Sequence, residues 1–430
     1  LHLYYFLLVI SALACGSVPP REVDLSNAVL SSLSMVAGWI LLTHIASRMV
    51  SNYVKRGEVE PLDGAQIVEK QLDIFRWLGL GVSVLCLAGF GLARGLDVIP
   101  IVQDSMFLQS LVLLTPAVAI TVGTWSSEHL YGVRLQYTDA TISNYARTLW
   151  RSFRSGMAWL VVPVLILLAM SDALNSLPIS ATASSVLTLV GIALFVPLVL
   201  PWLIRHLFKT VPMANNDADW INELMKQSGA RRTRAVRWDT GGSAFNAMIA
   251  GFIPPFRTLF LSDRLLDELP TPQIAMVVLH EAAHLKRRHV PLRMLGILPA
   301  WGVGTLVTKV LGDYSWAMIA GSAVGVLLTL VLLRWISYRT EHDADVTACR
   351  LAAKLAPEFP QLPADYDEAC DALSAALYRV TFDQPAGRKA TWLHPGVSDR
   401  VDFMRKFSQA RSGDTAISHS PTLVSFPGSQ

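Results

Sequence analysis

Runs of apolar residues recur along the chain at 28–47, 76–94, 103–125, 157–177, 184–208, 292–311 and 315–336. Each is near the ~20 residues that a helix needs to cross a hydrocarbon layer. A shorter run opens the chain (LHLYYFLLVISALACG) and is read as a first membrane helix. It has no basic stretch before it, as a signal peptide would, and Ala12 stands where a lipobox would carry an aliphatic residue. Gly321 and Gly325 form a small-xxx-small pair in the last run, which permits close helix packing.

Polar sequence has other periods. Within 209–291 the pattern predicts a helix at 216–228 and strands at 233–238, 244–250 and 256–261. A further helix follows, with Thr271 as its cap and Pro272 in its first turn, reaching His289 and yielding at Pro291. After the last apolar run, SYRTEHDADVTACRLAAKL continues as a polar helix. A break at Pro357, Pro360 and Pro363, a helix near 366–380 and a final helix to about 410 complete the ordered chain. The tail 412–430, rich in Ser, Thr and Gly, is expected to be disordered.

The predicted fold is mainly α: a polytopic transmembrane helical bundle with a small α+β domain. Its parts are a multispanning region at 1–208, a polar part at 209–291, a helical hairpin of two spans at 292–336, a second polar part at 337–411 and the tail 412–430.

Composition agrees with this pattern. Apolar residues make up 52% and charged ones 16% of the 430 positions, and the mean hydropathy is +0.41; these values suit a chain whose partner is the lipid bilayer. A net charge of +3, spread through loops, gives no footprint for nucleic acid. The four cysteines contain no CxxC pair and are expected to be free thiols. Lys and Arg crowd the segments 48–75, 126–156 and 209–291, whereas 178–183 and 312–314 have none and 17–27 has only Arg21. By the positive-inside rule the long polar region faces the cytoplasm, across an inner membrane if the source is bacterial.

That region contains VVLHEAAHLKRRH, with His280, Glu281 and His284 in an HExxH pattern. At about 100° per residue the two histidines emerge about 40° apart on one helical face, with Glu281 beside them. Two imidazoles can then bind one zinc ion while the carboxylate reaches a zinc-bound water. A catalytic zinc needs a third protein ligand. Glu341 and Asp345, at i,i+4 on the later polar helix, share a face; one can ligate while the other orients a ligand imidazole. His342 and His289 point off that face; His342 is read as solvated or helix-packing, and His289 as structural or at the interface.

The ordered combination resembles a known family. HEAAHLKRRH is followed after two spans by Ser337, Glu341, Ala344 and Asp345, then by His394-Pro395 and Arg400. This is similar to the membrane zinc peptidases of the HtpX and CAAX prenyl protease type, over about 214–410, and implies that the small α+β domain is a gluzincin-like zinc peptidase domain. The resemblance implies one zinc per chain held by His280, His284 and Glu341, with Asp345 behind them. It implies His394 and Arg400 near the developing oxyanion. It also implies Asn246 and Ala247 on a strand that holds an extended peptide. Ala283 replaces the usual Gly before the second histidine, and Tyr338 replaces an Arg common after the Ser. Pro61-Leu62-Asp63-Gly64 resembles the LDG signature of site-2 proteases, but it lies upstream in a polar loop and is read as an ordinary turn.

The expected activity is hydrolysis of peptide bonds in membrane-associated or misfolded proteins. Glu281 takes a proton from the zinc-polarised water and returns it to the leaving amine. Two alternatives stand beside it. One is an antirepressor-type sensor metallopeptidase, which would add a large exported domain that no segment here is long enough to form. The other is a non-catalytic membrane scaffold that retains a metal site.

Overall fold

The computed structural model describes residues 2–18, 23–242, 244–254, 256–312, 314–382 and 388–418. Among them seven helices are long and apolar enough to cross a membrane: Leu25–Lys55, Pro61–Gly89, Met106–Arg134, Ala158–Asn175, Ala181–Leu207, His289–Leu311 and Ala317–Leu355. Each overlaps one of the seven apolar runs. The mainly helical, multispanning class with a small sheet is the class predicted. The chain divides into two compact units, Leu1–Phe208 with Thr305–Ala323, and Lys209–Gly304 with Val324–Gln430.

In the first unit the short apolar helix His2–Ala14 is a core element. Its Tyr4, Leu8 and Ala12 are buried with Leu87, Leu113 and Met157. Small hydroxyls join Leu25–Lys55 to Met106–Arg134: Ser127 donates to Thr43 at 3.0 Å, and Ser47 donates to the Ser127 carbonyl at 3.1 Å. Gly123 makes the same approach possible, since a Cβ there would lie 2.6 Å from Ile40. Pro61–Gly64 departs from the turn predicted for it. It is the first turn of a helix, with Pro61 at its start and Asp63 facing the positive end of the helix dipole.

The second unit is built on a four-stranded sheet in the order β1-β2-β4-β3. β1 (Thr210–Val211) runs antiparallel to β2 (Thr233–Trp238), which runs parallel to β4 (Arg257–Ser262). β3 (Ala247–Ala250) pairs antiparallel with β4 and lies at the edge of the sheet. It begins three residues later than predicted. The Asn246 backbone instead exchanges bonds with Ser262, its N–H to the Ser262 hydroxyl and its carbonyl from the Ser262 N–H.

Behind the sheet, the motif helix Thr271–Lys286 is buried on nearly all sides. Ala275, Met276 and Leu279 pack with Leu259, Leu261 and Leu373. Complete burial of each such large side chain contributes about 2 kcal/mol.

This helix differs from prediction at both ends. Its cap is Pro270 rather than Thr271, with Pro272 in the first turn. It stops at Lys286, where Arg287 caps it and Arg288 takes a left-handed conformation at φ +57°. A non-glycine residue there costs about 1–2 kcal/mol. The bend starts a new helix at His289, with Pro291 inside its first turn, where it has no hydrogen bond to lose.

The last apolar run and the polar segment after it form one helix, Ala317–Leu355. Gly325 of this helix lies against the preceding span, 3.6 Å from the Ala300 carbonyl and 3.8 Å from Gly304, measured from where a Cβ would be. This is the close packing expected of the small-residue pair. Tyr366–Val380 follows, and the final helix runs from Val397 to Ser418, beyond the predicted start of the tail at 412. Positions 419–430 of that tail lie outside the described residues. All four cysteines are free and buried.

Candidate metal centre and active site

The motif helix and the Ala317–Leu355 helix bring three ligand atoms together. His280 Nε2 and His284 Nε2 are 3.2 Å apart. The Glu341 carboxylate places Oε2 at 3.6 Å from the first and Oε1 at 3.5 Å from the second. Ligands about 2.0–2.1 Å from a tetrahedral zinc are separated by about 3.3–3.5 Å. The three side chains therefore fit one zinc-sized ion with little movement.

Behind this triangle lies buried charge. Asp345, fully buried, puts Oδ1 2.9 Å from His280 Nδ1. Arg400 grips the same carboxylate with two bonds, Nε to Oδ2 at 2.8 Å and Nη2 to Oδ1 at 2.6 Å. Its remaining nitrogen, Nη1, is 3.8 Å from Glu341 Oε2. Arg400 is thus mainly engaged with Asp345. His394, more than half exposed, holds Nδ1 3.2 Å from Glu341 Oε2. Its turn is fixed by Thr391, whose hydroxyl accepts from the His394 N–H and whose carbonyl accepts from the Tyr338 hydroxyl at 2.8 Å. Tyr338 thereby ties this loop to the long helix.

Burial disfavours charge on His280, but Asp345 and Glu341 outweigh it and raise the imidazole to about 9. The surroundings favour positive charge at that point. Glu281 is shifted for a different reason. Burial lifts its carboxyl to about 7, with Glu341 adding to the rise and His280 opposing it. A carboxylate with that value is suited to accept a proton near neutral pH.

Glu281 lines a cavity of about 270 Å³ together with Asn246, Ala247, Glu341, His394 and Arg400. Much of the rest of its wall is apolar, including Leu373, Leu377 and Val380. All nine residues singled out in the sequence lie in or directly behind this one site.

Four further residues contact the ligands or their partners and were not anticipated as site residues. His289 places Nδ1 2.9 Å from His284 Nδ1, and its Nε2 is 3.0 Å from Asp343 Oδ2. Arg287 pairs with Asp343 at 2.7 Å. Arg293 donates to Thr340 at 2.7 Å and to Glu341 Oε1 at 3.0 Å. Projection of a continuous helix turned His289 away from the metal face; the left-handed Arg288 brings it back. A sequence signal existed for Arg293, a cation at the border of an apolar span. His342 packs its ring 4.5 Å from that of Phe403, in keeping with a helix-packing residue.

Residues 216–407 match Peptidase family M48. The stretch contains every motif on which the resemblance rested, and the resemblance is borne out. The fold is similar to the crystal structure of Ste24p from S. mikatae, with 15% sequence identity and a TM-score of 0.52. The likeness covers 89% of this chain and 100% of that one. No curated protein matches the sequence. Family match and fold together support a membrane metallopeptidase.

Proposed function

We propose that the chain is a zinc-dependent endopeptidase that cleaves membrane-associated or misfolded proteins, with its site facing the cytoplasm. The observation that carries this reading is the spacing of His280, His284 and Glu341 beside Glu281 in one cavity. When bound, zinc supplies Lewis acidity to a water molecule and to the scissile carbonyl.

The chain's own residues do the rest. Glu281 accepts the water's proton on its carboxylate and passes it to the leaving amine nitrogen. His394, on its anchored turn, offers a donor to the carbonyl oxygen as negative charge gathers there. Arg400 holds Asp345, and Asp345 holds the His280 ring. An extended peptide adds to the edge strand β3 at Ala247, so recognition runs through backbone bonds. Asn246 flanks that strand at the cavity wall. The abundance of Lys and Arg in 209–291 supports the cytoplasmic orientation.

The test is direct. The full chain is purified in detergent, its zinc content measured, and casein cleavage compared for wild type, Glu281→Gln and chelator-treated protein. One zinc per chain and loss of cleavage in both treatments are expected. Metal-free protein, or cleavage indifferent to Glu281→Gln, removes the reading. Cleavage of a prenylated peptide by the same preparation would assign lipid-linked substrates.

A further inference from the structure

We infer that His289, the first residue of the His289–Leu311 span, fixes the tautomer of His284 and thereby aims its Nε2 lone pair at the metal position. The inference rests on the metallopeptidase reading above and assigns a positioning role to residues outside the HExxH pattern.

Asp343 is an acceptor only, so His289 Nε2, 3.0 Å from Oδ2, carries a hydrogen and donates it. Arg287 already pairs with the same carboxylate, Nε at 2.7 Å and Nη2 at 3.2 Å, which removes the need for a charged imidazole there. A neutral His289 with hydrogen on Nε2 has a lone pair on Nδ1. That atom lies 2.9 Å from His284 Nδ1, so His284 must donate across the gap. With its hydrogen on Nδ1, His284 presents a bare Nε2, the atom 3.2 Å from His280 Nε2 and 3.5 Å from Glu341. The reverse arrangement, with hydrogen on His284 Nε2, would leave two lone pairs facing each other or require a doubly protonated His289.

The same span contributes a second contact. Arg293 lies one turn beyond His289 on the same helical face, and it donates to Glu341 Oε1 at 3.0 Å. One turn of one apolar helix thus supports two of the three ligands. Partners of ligand histidines commonly change metal affinity by about 10–100-fold when removed.

The test is zinc affinity of the full-length protein, measured by competition with a chelator of known strength. His289→Ala should weaken binding about 10–100-fold. His289→Asn places an amide oxygen that can accept from His284, and it should stay within about threefold of wild type. Cobalt-substituted wild type and His289→Asn should share one visible spectrum. Wild-type affinity in His289→Ala, or equal losses in the Ala and Asn variants, would overturn the inference. Asp343→Ala reads the same chain from its far end. Should His289→Ala be too unstable to measure, weakened zinc binding by Asp343→Ala supports the role and unchanged binding refutes it. Failure of the wild-type chain to bind zinc would instead sink the metallopeptidase reading.

Discussion

The two compact units use their buried polar groups in different ways. In the Leu1–Phe208 unit most are small hydroxyls such as Thr43, Ser47 and Ser127, which close short bonds between neighbouring helices. Its buried cation, Arg76, pairs with Asp73 at 2.6 Å and Glu128 at 3.6 Å, side chains that are themselves 56% and 61% exposed. In the second unit Arg400 holds Asp345, whose side chain is 0% exposed. One unit buries neutral hydroxyls that bond to one another and a cation whose carboxylate partners are largely exposed. The other encloses an ion pair out of reach of water, an expensive arrangement that is common at functional sites.

Mutations can break or sharpen that contrast. The largest effect is expected at Glu281: the Gln variant should lose about 10²–10⁴ in turnover while keeping its zinc. Peptide cleavage and metal analysis on one preparation check both halves. Next come the two arginines. Arg400→Met leaves Asp345 uncompensated and should cost about 3–5 kcal/mol, read as a fall in thermal midpoint together with zinc loss. Arg76→Met leaves carboxylates whose side chains are largely exposed, and should cost less than about 1 kcal/mol. Equal losses would erase the distinction between the units.

A smaller effect tests acid sensitivity. Burial alone would raise the Asp263 carboxyl, but donors from Thr240, Gly242 and Arg264 outweigh it and hold the carboxyl below its usual range. Its contribution is therefore present above the unfolded value of about 3.9 and is lost as pH falls through the lower folded value. Asp263→Asn should flatten the acid limb of stability in that window, at a cost near neutral pH of about 1 kcal/mol. The smallest change is expected for Ser127→Ala, about 0.6 kcal/mol, because the neighbouring hydroxyls find other helix carbonyls.

How much of this was legible in the sequence follows from the range of each interaction. The seven spans were readable because a bilayer demands some 20 apolar residues in a row, a local and stringent condition. His280, Glu281 and His284 were readable because one helical turn fixes their spacing. Glu341 and Asp345 were narrowed to a pair by the same periodicity, and the family resemblance distinguished them.

Features that depend on distant partners were not readable. Arg400 is 55 residues from the carboxylate it grips, and nothing in its neighbours announces that pairing. The end of the motif helix was hidden because Arg288 adopts a conformation usually given to glycine. With that bend unseen, His289 and Arg293 could not be assigned to the site. Pro61–Gly64 failed through a shared signal, since a proline followed by an acid suits both a turn and a helix start.

Ala317–Leu355 is continuous from its apolar part to Glu341 and on to Asp345. A rigid rod of this kind is an angular gauge: each added residue turns everything beyond it by about 100° and advances it by about 1.5 Å. A single alanine inserted between Ile336 and Glu341 would swing both carboxylates out of register with the imidazoles, whereas an insertion of seven residues, close to two full turns, would restore their direction but displace them by about 10 Å. The direction and position of both carboxylates are therefore set by the length of one uninterrupted helix.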